Sequence, residues 1–226
     1  MKTMHIDDVL DRAHVVSLPL AVRFRGITTR EALLIEGPAG WGEFAPFLEY
    51  GPAESAAWLR AGIEAAYEGF PEPVRDSIEV NATIPAVPAS EVPALVERYP
   101  GCRTFKIKVA EKGHTLADDA ARVRAVRDTI TQRGEIPILR VDANGGWSVD
   151  EAVEAAQMMM PLDYMEQPCA TTEELAQVRG RLMRAGLFVR VAADESIRKV
   201  ADPYRVAELQ AADVACLLYT SPSPRD

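Results

Sequence analysis

The stretch Arg140-Val-Asp-Ala-Asn-Gly-Gly-Trp147 decides the fold, because an apolar run ends there on a carboxylate. Asn-Gly-Gly then predicts a turn, so Asp142 stands at the carboxyl end of a strand. Ser148 and Glu151 have the spacing of a capping box, which predicts that a helix begins directly after the turn. In α/β folds, catalytic and binding groups lie at this end of the strands. Asp142 is therefore the first candidate functional residue.

The same order of strand, loop and helix repeats from residue 78 onwards. Thr171 and Glu174 form a second predicted capping box. Alternating β and α elements joined by short loops predict a parallel sheet covered by helices. The predicted strands are 78–84, 104–109, 136–142, 162–166, 187–193 and one that begins at Asp213, and the predicted helices are 90–99, 116–132, 149–160, 171–185 and 200–210.

The N-terminal part has a different pattern, which predicts a small α+β unit. Strands are expected at 15–24 and 31–36, a turn-rich connection at 40–46 and a helix at 52–69. The predicted domains are therefore an α+β domain over residues 1–76 and a β/α domain over residues 77–215. Residues 216–226 are rich in Pro and Ser and lack periodicity, so we expect a non-native or disordered tail.

Bulk properties limit the possible partners and compartment. The 226 residues carry a net charge of −9, which argues against nucleic acid or an anionic membrane as a partner. No apolar run approaches the roughly 20 residues of a membrane span, and the N-terminus lacks the apolar segment of a signal peptide. The three cysteines are widely spaced, which favours a reduced, cytoplasmic location.

Three carboxylates stand at or near the ends of successive predicted strands: Asp142, Glu166 and Asp194. They are 24 and 28 residues apart, about one β-loop-helix unit each, so their side chains should converge. Oxygen ligands at one point suit Mg²⁺ or Mn²⁺ rather than zinc. Helix capping or solvation is the commoner explanation for a single such carboxylate, but three in consecutive units favour a metal site.

The segment Phe105-Lys-Ile-Lys-Val109 alternates strictly, so Lys106 and Lys108 share one face of a strand. In a helix-covered barrel the outer face is apolar, and the lysines would then point inward. Two neighbouring ammonium groups should lower each other's pKa towards that of a usable base. The alternative is a solvated lysine face, which the predicted metal site one unit further along disfavours. A lysine base beside a bound cation fits removal of a proton next to a substrate carboxylate.

Four motifs together resemble the muconate-lactonizing branch of the enolase superfamily. Within that branch, the chain is most similar to the actinobacterial enzymes that dehydrate 2-succinyl-6-hydroxy-2,4-cyclohexadiene-1-carboxylate to o-succinylbenzoate in menaquinone biosynthesis. The resemblance covers residues from about 10 to 215. The motifs are Lys106-Ile-Lys108, Asp142-Ala-Asn-Gly-Gly-Trp147, Glu166-Gln-Pro168 and Asp194-Glu-Ser196.

The resemblance implies an α+β capping domain followed by a modified TIM (β/α) barrel. It implies a small-molecule carboxylate substrate, Lys108 as the acid/base and Lys106 as the group that stabilises the enolate. The implied Mg²⁺ ligands, with Mn²⁺ as the alternative ion, are Asp142, Glu166 and Asp194. Residues beside these ligands could orient ligands or substrate, or only shape turns; they are Asn144, Gln167 and Glu195. The loops at 24–26 and 47–50 would close over the succinyl arm, or serve only in packing; the candidate contacts are Phe24, Gly26, Phe47 and Tyr50.

The sequence departs from the family pattern at Leu218, where the family has a lysine at the next strand tip. A closed barrel needs eight strands, whereas the pattern supplies five and the start of a sixth. We therefore expect an incomplete barrel that is unstable or inactive. Two alternatives stay open: a racemase or epimerase of acylamino acids or dipeptides, or a cycloisomerase, with the same site; and a metal-binding remnant without catalysis.

Overall fold

The computed structural model describes residues 5–24, 27–199 and 201–217, with only the backbone described for residues 21–24. These residues form two compact units. One contains the described residues up to Asp76 together with Leu217, and the other comprises Ser77–Cys216. Within the described residues, no helix combines the length and the apolar character needed to cross a membrane.

The first unit is a three-stranded antiparallel sheet with one long helix. Its elements in chain order are α1 (Ile6–Leu10), β1 (Ala13–Phe24), β2 (Ile27–Gly37), β3 (Gly40–Phe44) and α2 (Pro52–Tyr67). Helix α2 begins after Gly51, with a proline in its first turn, where the missing N–H costs no hydrogen bond. Ile35 of β2 and Ala66 of α2 are fully buried against Val9 of α1, and together they form the core of this unit.

Strand β3 corrects the prediction of a turn-rich connection over residues 40–46. Gly40–Phe44 pairs with β2 in antiparallel register, from Gly37↔Gly40 to Leu33↔Phe44. The glycines that predicted a turn have a packing role instead. A Cβ on Gly42 would overlap the carbonyl of Gly62 in α2, so the glycine permits a close approach of helix and strand.

The second unit is a parallel sheet of six strands, arranged in chain order and covered by helices. The strands are β4 (Ala82–Ile84), β5 (Thr104–Lys108), β6 (Ile138–Asp142), β7 (Tyr164–Glu166), β8 (Arg190–Ala193) and β9 (Val214–Ala215). The helices are α3 (Val92–Val96), α4 (Leu116–Gln132), α5 (Val149–Met159), α6 (Thr172–Arg184) and α7 (Asp202–Glu208), with short 3₁₀ turns at Ala89–Glu91 and Glu195–Ile197. The predicted α/β class with a partial β/α barrel is confirmed.

Local sequence signals placed the long helices α4, α5 and α6, whereas the predicted helices 90–99 and 200–210 are shortened to α3 and α7. Helix α4 covers the predicted residues 116–132, and the capping boxes at Ser148 and Thr171 are both formed. The Ser148 hydroxyl accepts from the amide of Glu151, whose carboxylate accepts from the Ser148 amide. Such boxes satisfy amides that have no partner within the helix, and so they fix where the helix begins.

Strand β4 is shorter than predicted, because only Ala82–Ile84 pairs with β5. Ile78 and Val80, which suggested an earlier start, are 79% and 78% exposed. Alternating apolar residues predict a strand only where a neighbour can pair with them, and residues 78–81 are unpaired within the described sheets. At the other end, the Cys216 amide donates to the Ala193 carbonyl, so pairing continues one residue beyond β9. Leu218 and residues 219–226 lie outside the described residues.

The alternation along β5 separates a core face from a polar face. Phe105, Ile107 and Val109 are buried among the helices, where each contributes about 1.5–3 kcal/mol through removal from water. Lys106 and Lys108 lie on the opposite face, as the sequence predicts. The helical partners of this core include Val123, Val126 and Ile130 of α4, the stripe of helix 116–132.

Candidate active site

The sheet register brings the predicted lysines and two of the carboxylates together at the carboxyl ends of three strands. Lys108 is the register partner of Asp142, and Asp142 is the partner of Glu166. The Lys108 Nζ lies 2.6 Å from the Asp142 Oδ2, and the Lys106 Nζ lies 2.8 Å from the Glu166 Oε1. Lys106 also reaches the Asp142 Oδ2 at 3.2 Å. Lys106 therefore bridges the two carboxylates.

Burial dominates the electrostatics of these carboxylates. Asp142 is 1% and Glu166 3% exposed. Burial opposes ionisation of Asp142, but the hydrogen bond and charge of Lys108, reinforced by Lys106, outweigh it and hold its pKa below the usual value. Burial, together with the neighbouring charge of Asp142, raises the pKa of Glu166 to about 7. Two buried carboxylates in contact thus differ in how readily they hold a proton.

Lys106 corrects the prediction that the two lysines lower each other's pKa. Burial alone would lower the pKa of Lys106, but the hydrogen bond to Glu166 and the charges of Glu166 and Asp142 raise it above its ordinary value. The prediction considered only the lysine pair, whereas the nearest charges to Lys106 are carboxylates. Sequence spacing predicts those carboxylates on adjacent strands, but it does not give their distances of 2.8 and 3.2 Å from the Lys106 Nζ.

Asp194 follows β8 and lies at the rim of the same cluster. Burial raises its pKa to about 6, with further contributions from the charges of Glu195 and Asp142. Its Oδ2 is 3.5 Å from the guanidinium of Arg198, which also donates to the Glu195 Oε1 at 2.7 Å. Arg198 was missed by sequence reasoning, although its spacing of four residues from Asp194 suggests such a pairing.

Gln167 holds the loop that carries Asp194. Its Oε1 accepts from the amides of Asp194 and Ser196 at 3.0 and 3.1 Å. Its Nε2 donates to the Cys169 carbonyl and to the Ser196 hydroxyl at 3.0 and 2.8 Å. The fully buried Gln167 has a φ of 36°, a strained backbone conformation that its surroundings must hold in place. The four hydrogen bonds of its side chain help to hold it.

Asn144 connects the lysine to the loop after β8. Its Oδ1 accepts from the Lys108 Nζ at 2.8 Å, and its Nδ2 donates to the Glu195 Oε1 at 3.1 Å. The Asn144 amide also donates to the Asp142 Oδ1 at 3.1 Å. Lys108, Asn144 and Glu195 thus form a continuous hydrogen-bonded row across the strand ends.

The donor set fits a hard divalent cation in its chemistry. Asp142, Glu166 and Asp194 supply oxygen ligands, and burial of like charges raises the pKa of two of them, a situation that a cation relieves. In this structure the two lysines contact one oxygen of Asp142 and one oxygen of Glu166, so these two oxygens already have ammonium partners. Among residues 5–24, 27–199 and 201–217, no three His, Cys, Asp or Glu side chains are close enough together to bind a metal.

The predicted substrate contacts of the N-terminal unit form an aromatic cluster. Phe47, Tyr50 and Trp58 have ring centroids 5.5–5.8 Å apart, and the Arg30 guanidinium lies 5.3 Å from the Phe47 ring. Phe24 ends β1 through backbone pairing with Ile27, but its side chain lies outside the described residues, as does Gly26. The structure therefore brings Phe47 and Tyr50 together, and their role towards substrate stays a prediction.

Two family descriptions match the sequence. Residues 15–66 match "Enolase N-terminal domain-like", and residues 89–219 match "Enolase C-terminal domain-like". The o-succinylbenzoate synthase of Mycolicibacterium smegmatis is 57% identical over 94% of this chain, and that of Mycobacterium marinum is 58% identical over 94%. The matched part spans 64% and 62% of the length of these two relatives.

Solved structures share the fold at low sequence identity. The L-Ala-D/L-Glu epimerase from Bacillus subtilis is 24% identical with a TM-score of 0.67, covering 90% of this chain and 72% of the epimerase. An enolase superfamily member from Roseovarius nubinhibens, complexed with magnesium, is 18% identical with a TM-score of 0.61, covering 90% of this chain and 69% of the other. At these identities, the likeness supports the fold and no particular chemistry.

Proposed function

This chain belongs to the enolase superfamily, and from that premise we propose that it carries the catalytic lysines and metal ligands of an o-succinylbenzoate synthase. The identity of 57–58% to two mycobacterial synthases over nearly the whole chain supports this assignment. The proposed substrate is 2-succinyl-6-hydroxy-2,4-cyclohexadiene-1-carboxylate, which loses water to give the aromatic o-succinylbenzoate. We place this reaction in menaquinone biosynthesis and in the cytoplasm.

Lys108 is the proposed acid and base. As a neutral amine it takes the proton from the ring carbon that bears the carboxylate, and it becomes an ammonium. It then donates that proton to the departing hydroxide on the same face, so that water leaves and the amine is restored. Aromatisation of the ring drives this elimination, and few further catalytic groups are needed. The hydrogen bond to Asn144 aims the Nζ of Lys108 during both transfers.

Lys106 stays charged in this scheme. Its raised pKa keeps the ammonium protonated at neutral pH, so it provides a fixed positive charge towards the enediolate oxygens. A divalent cation held by Asp142, Glu166 and Asp194, for which we propose Mg²⁺, would supply Lewis-acid stabilisation of the substrate carboxylate as negative charge develops on it.

The single observation that carries the proposal is the contact between Lys108 and the strand-end carboxylate Asp142 at 2.6 Å, with Lys106 bridging to Glu166. A base beside two buried carboxylates on adjacent strand tips suits proton abstraction next to a substrate carboxylate, with those carboxylates as proposed metal ligands. A solvated lysine face would not place both ammonium groups on buried carboxylates.

The test is a pair of assays on the purified chain, with and without Mg²⁺. The incomplete barrel predicts an unstable or inactive chain, whereas the proposed site predicts Mg²⁺-dependent formation of o-succinylbenzoate, reduced about 10³-fold or more in Lys108→Ala, so the assay decides between the two. Lys112→Ala, which removes an exposed lysine of the next loop, is the matched control and should keep full activity. In parallel, N-succinyl amino acids are incubated in deuterium oxide.

Each outcome of these assays has a distinct meaning. Exchange of the α-proton of N-succinyl amino acids without o-succinylbenzoate formation would replace the synthase by a racemase. Mg²⁺ binding with neither reaction would identify a metal-binding protein without catalysis. Turnover that survives Lys108→Ala would remove Lys108 from the mechanism.

A further inference from the structure

Helix α4 carries a buried ion pair that the proposed chemistry does not use. Arg122 and Asp119 are each 1% exposed, and the Arg122 Nη1 donates to the Asp119 Oδ1 at 2.7 Å. A buried ion pair contributes little net stability compared with well-packed apolar side chains of similar volume. Stability alone is therefore a weak explanation for this pair.

The guanidinium of Arg122 connects α4, the segment after β4 and the loop that contains His114 to the end of β5. Its Nε donates to the Val87 carbonyl at 2.6 Å, in the segment after β4. Its Nη1 donates to the carbonyl of Lys108 at 2.9 Å, and its Nη2 contacts the Nδ1 of His114 at 2.9 Å. Because guanidinium nitrogens only donate, the Nδ1 of His114 accepts this hydrogen bond. The planar fork of arginine suits this task, whereas a single ammonium could not serve all the partners.

Asp119 holds Ala110, two residues after Lys108 in the chain. Its Oδ2 accepts from the Ala110 amide at 2.8 Å. Ala110 has a φ of 59°, a left-handed conformation that non-glycine residues rarely adopt and that the surroundings must hold in place. The ion pair therefore fixes the backbone at two points, the Lys108 carbonyl and the Ala110 amide. Between them, the Val109 amide donates to the Asp142 carbonyl at 3.0 Å.

We infer that Arg122 and Asp119 are positioning residues for Lys108, an inference that rests on the proposed role of Lys108 as the acid and base. The lysine side chain is long and flexible, so its Nζ keeps its place on Asp142 and Asn144 only if the backbone beneath it is fixed. A misplacement of about 1 Å at a reacting group costs about 100-fold in rate. Arg122 and Asp119 thus act on the Lys108 side chain indirectly, by holding the backbone that carries it.

The test replaces both charges at once by apolar side chains of similar size, in Asp119→Leu/Arg122→Met. Removing the two partners together avoids a buried unpaired charge, so the remaining cost is that of the backbone groups that lose their partners. The main readout is proton exchange of the ¹⁵N-labelled lysine ammonium groups by NMR, with Mg²⁺-free protein. We expect exchange at the Lys108 Nζ to accelerate about tenfold or more, as when a charge-assisted hydrogen bond is lost, while exchange at the Lys106 Nζ is unchanged.

Activity gives a second readout. The double variant should lose about 100-fold in kcat with little change in KM or in Mg²⁺ affinity, because the carboxylates keep their places. Arg127→Met is the matched control on the same helix. Arg127 donates to the Met159 and Pro161 carbonyls at 2.6 and 3.3 Å, away from β5, so this variant should leave exchange at Lys108 unchanged.

The outcomes separate this inference from the proposed function. Unchanged exchange at Lys108 in a folded double variant, or equal acceleration at Lys106, overturns the positioning role. If the double variant fails to fold, Arg122→Lys decides, because it keeps a charge beside Asp119 but loses the fork; unchanged exchange at Lys108 then overturns the inference. If the parent chain shows no turnover, the proposed function fails, and the exchange measurement still decides whether Arg122 and Asp119 hold Lys108.

Discussion

Lys106 is the residue on which the charge balance of the site depends. Its ammonium contacts Glu166 at 2.8 Å and Asp142 at 3.2 Å, and both carboxylates are buried. A divalent cation at the same oxygens would share them with this ammonium or displace it. The lysine thus stabilises the carboxylates in the absence of a cation and opposes the binding of one.

Lys106→Met should lower the stability of the Mg²⁺-free chain and strengthen Mg²⁺ binding. Loss of the partner of two buried carboxylates should cost about 2–4 kcal/mol, less than for a fully buried pair because Lys106 is partly exposed. The rise in Tm on adding Mg²⁺, measured by thermal denaturation, should therefore be larger in the variant than in the parent. Lys112→Met, at an exposed position, is the control. An equal or smaller rise in Tm for Lys106→Met would contradict competition between Lys106 and Mg²⁺ for the carboxylates.

Sequence patterns predict the positions of the lysines and carboxylates, but neither Arg198 nor the raised pKa of Lys106. Period-two alternation and unit-length spacing were enough to bring Lys108, Asp142 and Glu166 to neighbouring register positions. Arg198 was not predicted because a spacing of four residues from Asp194 indicates a pairing only across a helical turn, and the strand pattern does not show the 3₁₀ turn at Glu195–Ile197. The pKa of Lys106 was misjudged because it depends on distances of 2.8–3.2 Å, which spacing alone does not give.

Close contact between the backbones of α2 and β3 explains why glycines occur within a strand. Gly42 and Gly62 let α2 lie directly on β3, and a Cβ on Gly62 would stand 2.5 Å from the Glu43 carbonyl oxygen. Sequence alone favoured a turn there, because isolated glycines usually interrupt strands. The long amphipathic helices and their capping boxes were predictable, since those signals are local.

Gly62→Ala should separate α2 from β3 and destabilise the N-terminal unit by about 1–3 kcal/mol. The expected result is a lower urea midpoint in far-UV circular dichroism, with increased hydrogen exchange in β3. Gly51→Ala is the control, because Gly51 has a negative φ and open space around its Cβ position. A urea midpoint for Gly62→Ala equal to that of the control would show that α2 can move away from β3 without loss of stability.

The buried carboxylates of the site make the stability of the folded protein depend on pH. The pKa of Glu166 is raised from 4.5 to about 7, and that of Asp194 from 3.8 to about 6. The folded chain therefore binds protons more tightly at these groups than the unfolded chain does. The resulting stabilisation is complete below about pH 4 and is lost as the pH rises through 6 and 7. The lowered pKa of Asp142 acts in the opposite direction, but only near and below its ordinary value of 3.8.

Without divalent cations, the Tm should fall as the pH rises from 5 to 7.5. A change of at least about 1 kcal/mol corresponds to roughly 2–4 °C for a chain of this size. Mg²⁺ should reduce the fall, because it stabilises the ionised carboxylates. Glu166→Gln should flatten the pH dependence, whereas Glu154→Gln, on the exposed face of α5, should not. A Tm that rises over this window in EDTA would contradict the raised pKa values.

The order of the strands in the parallel sheet has a consequence for how the protein is made. Strands β4 to β9 lie side by side in the order in which they leave the ribosome. Each new strand can therefore join the growing edge without waiting for a distant part of the chain. Lys108 precedes Asp142 in the chain and Lys106 precedes Glu166, so each lysine is synthesised before the carboxylate that it contacts. An ammonium partner is therefore already present in the chain when the strand of each carboxylate joins the sheet.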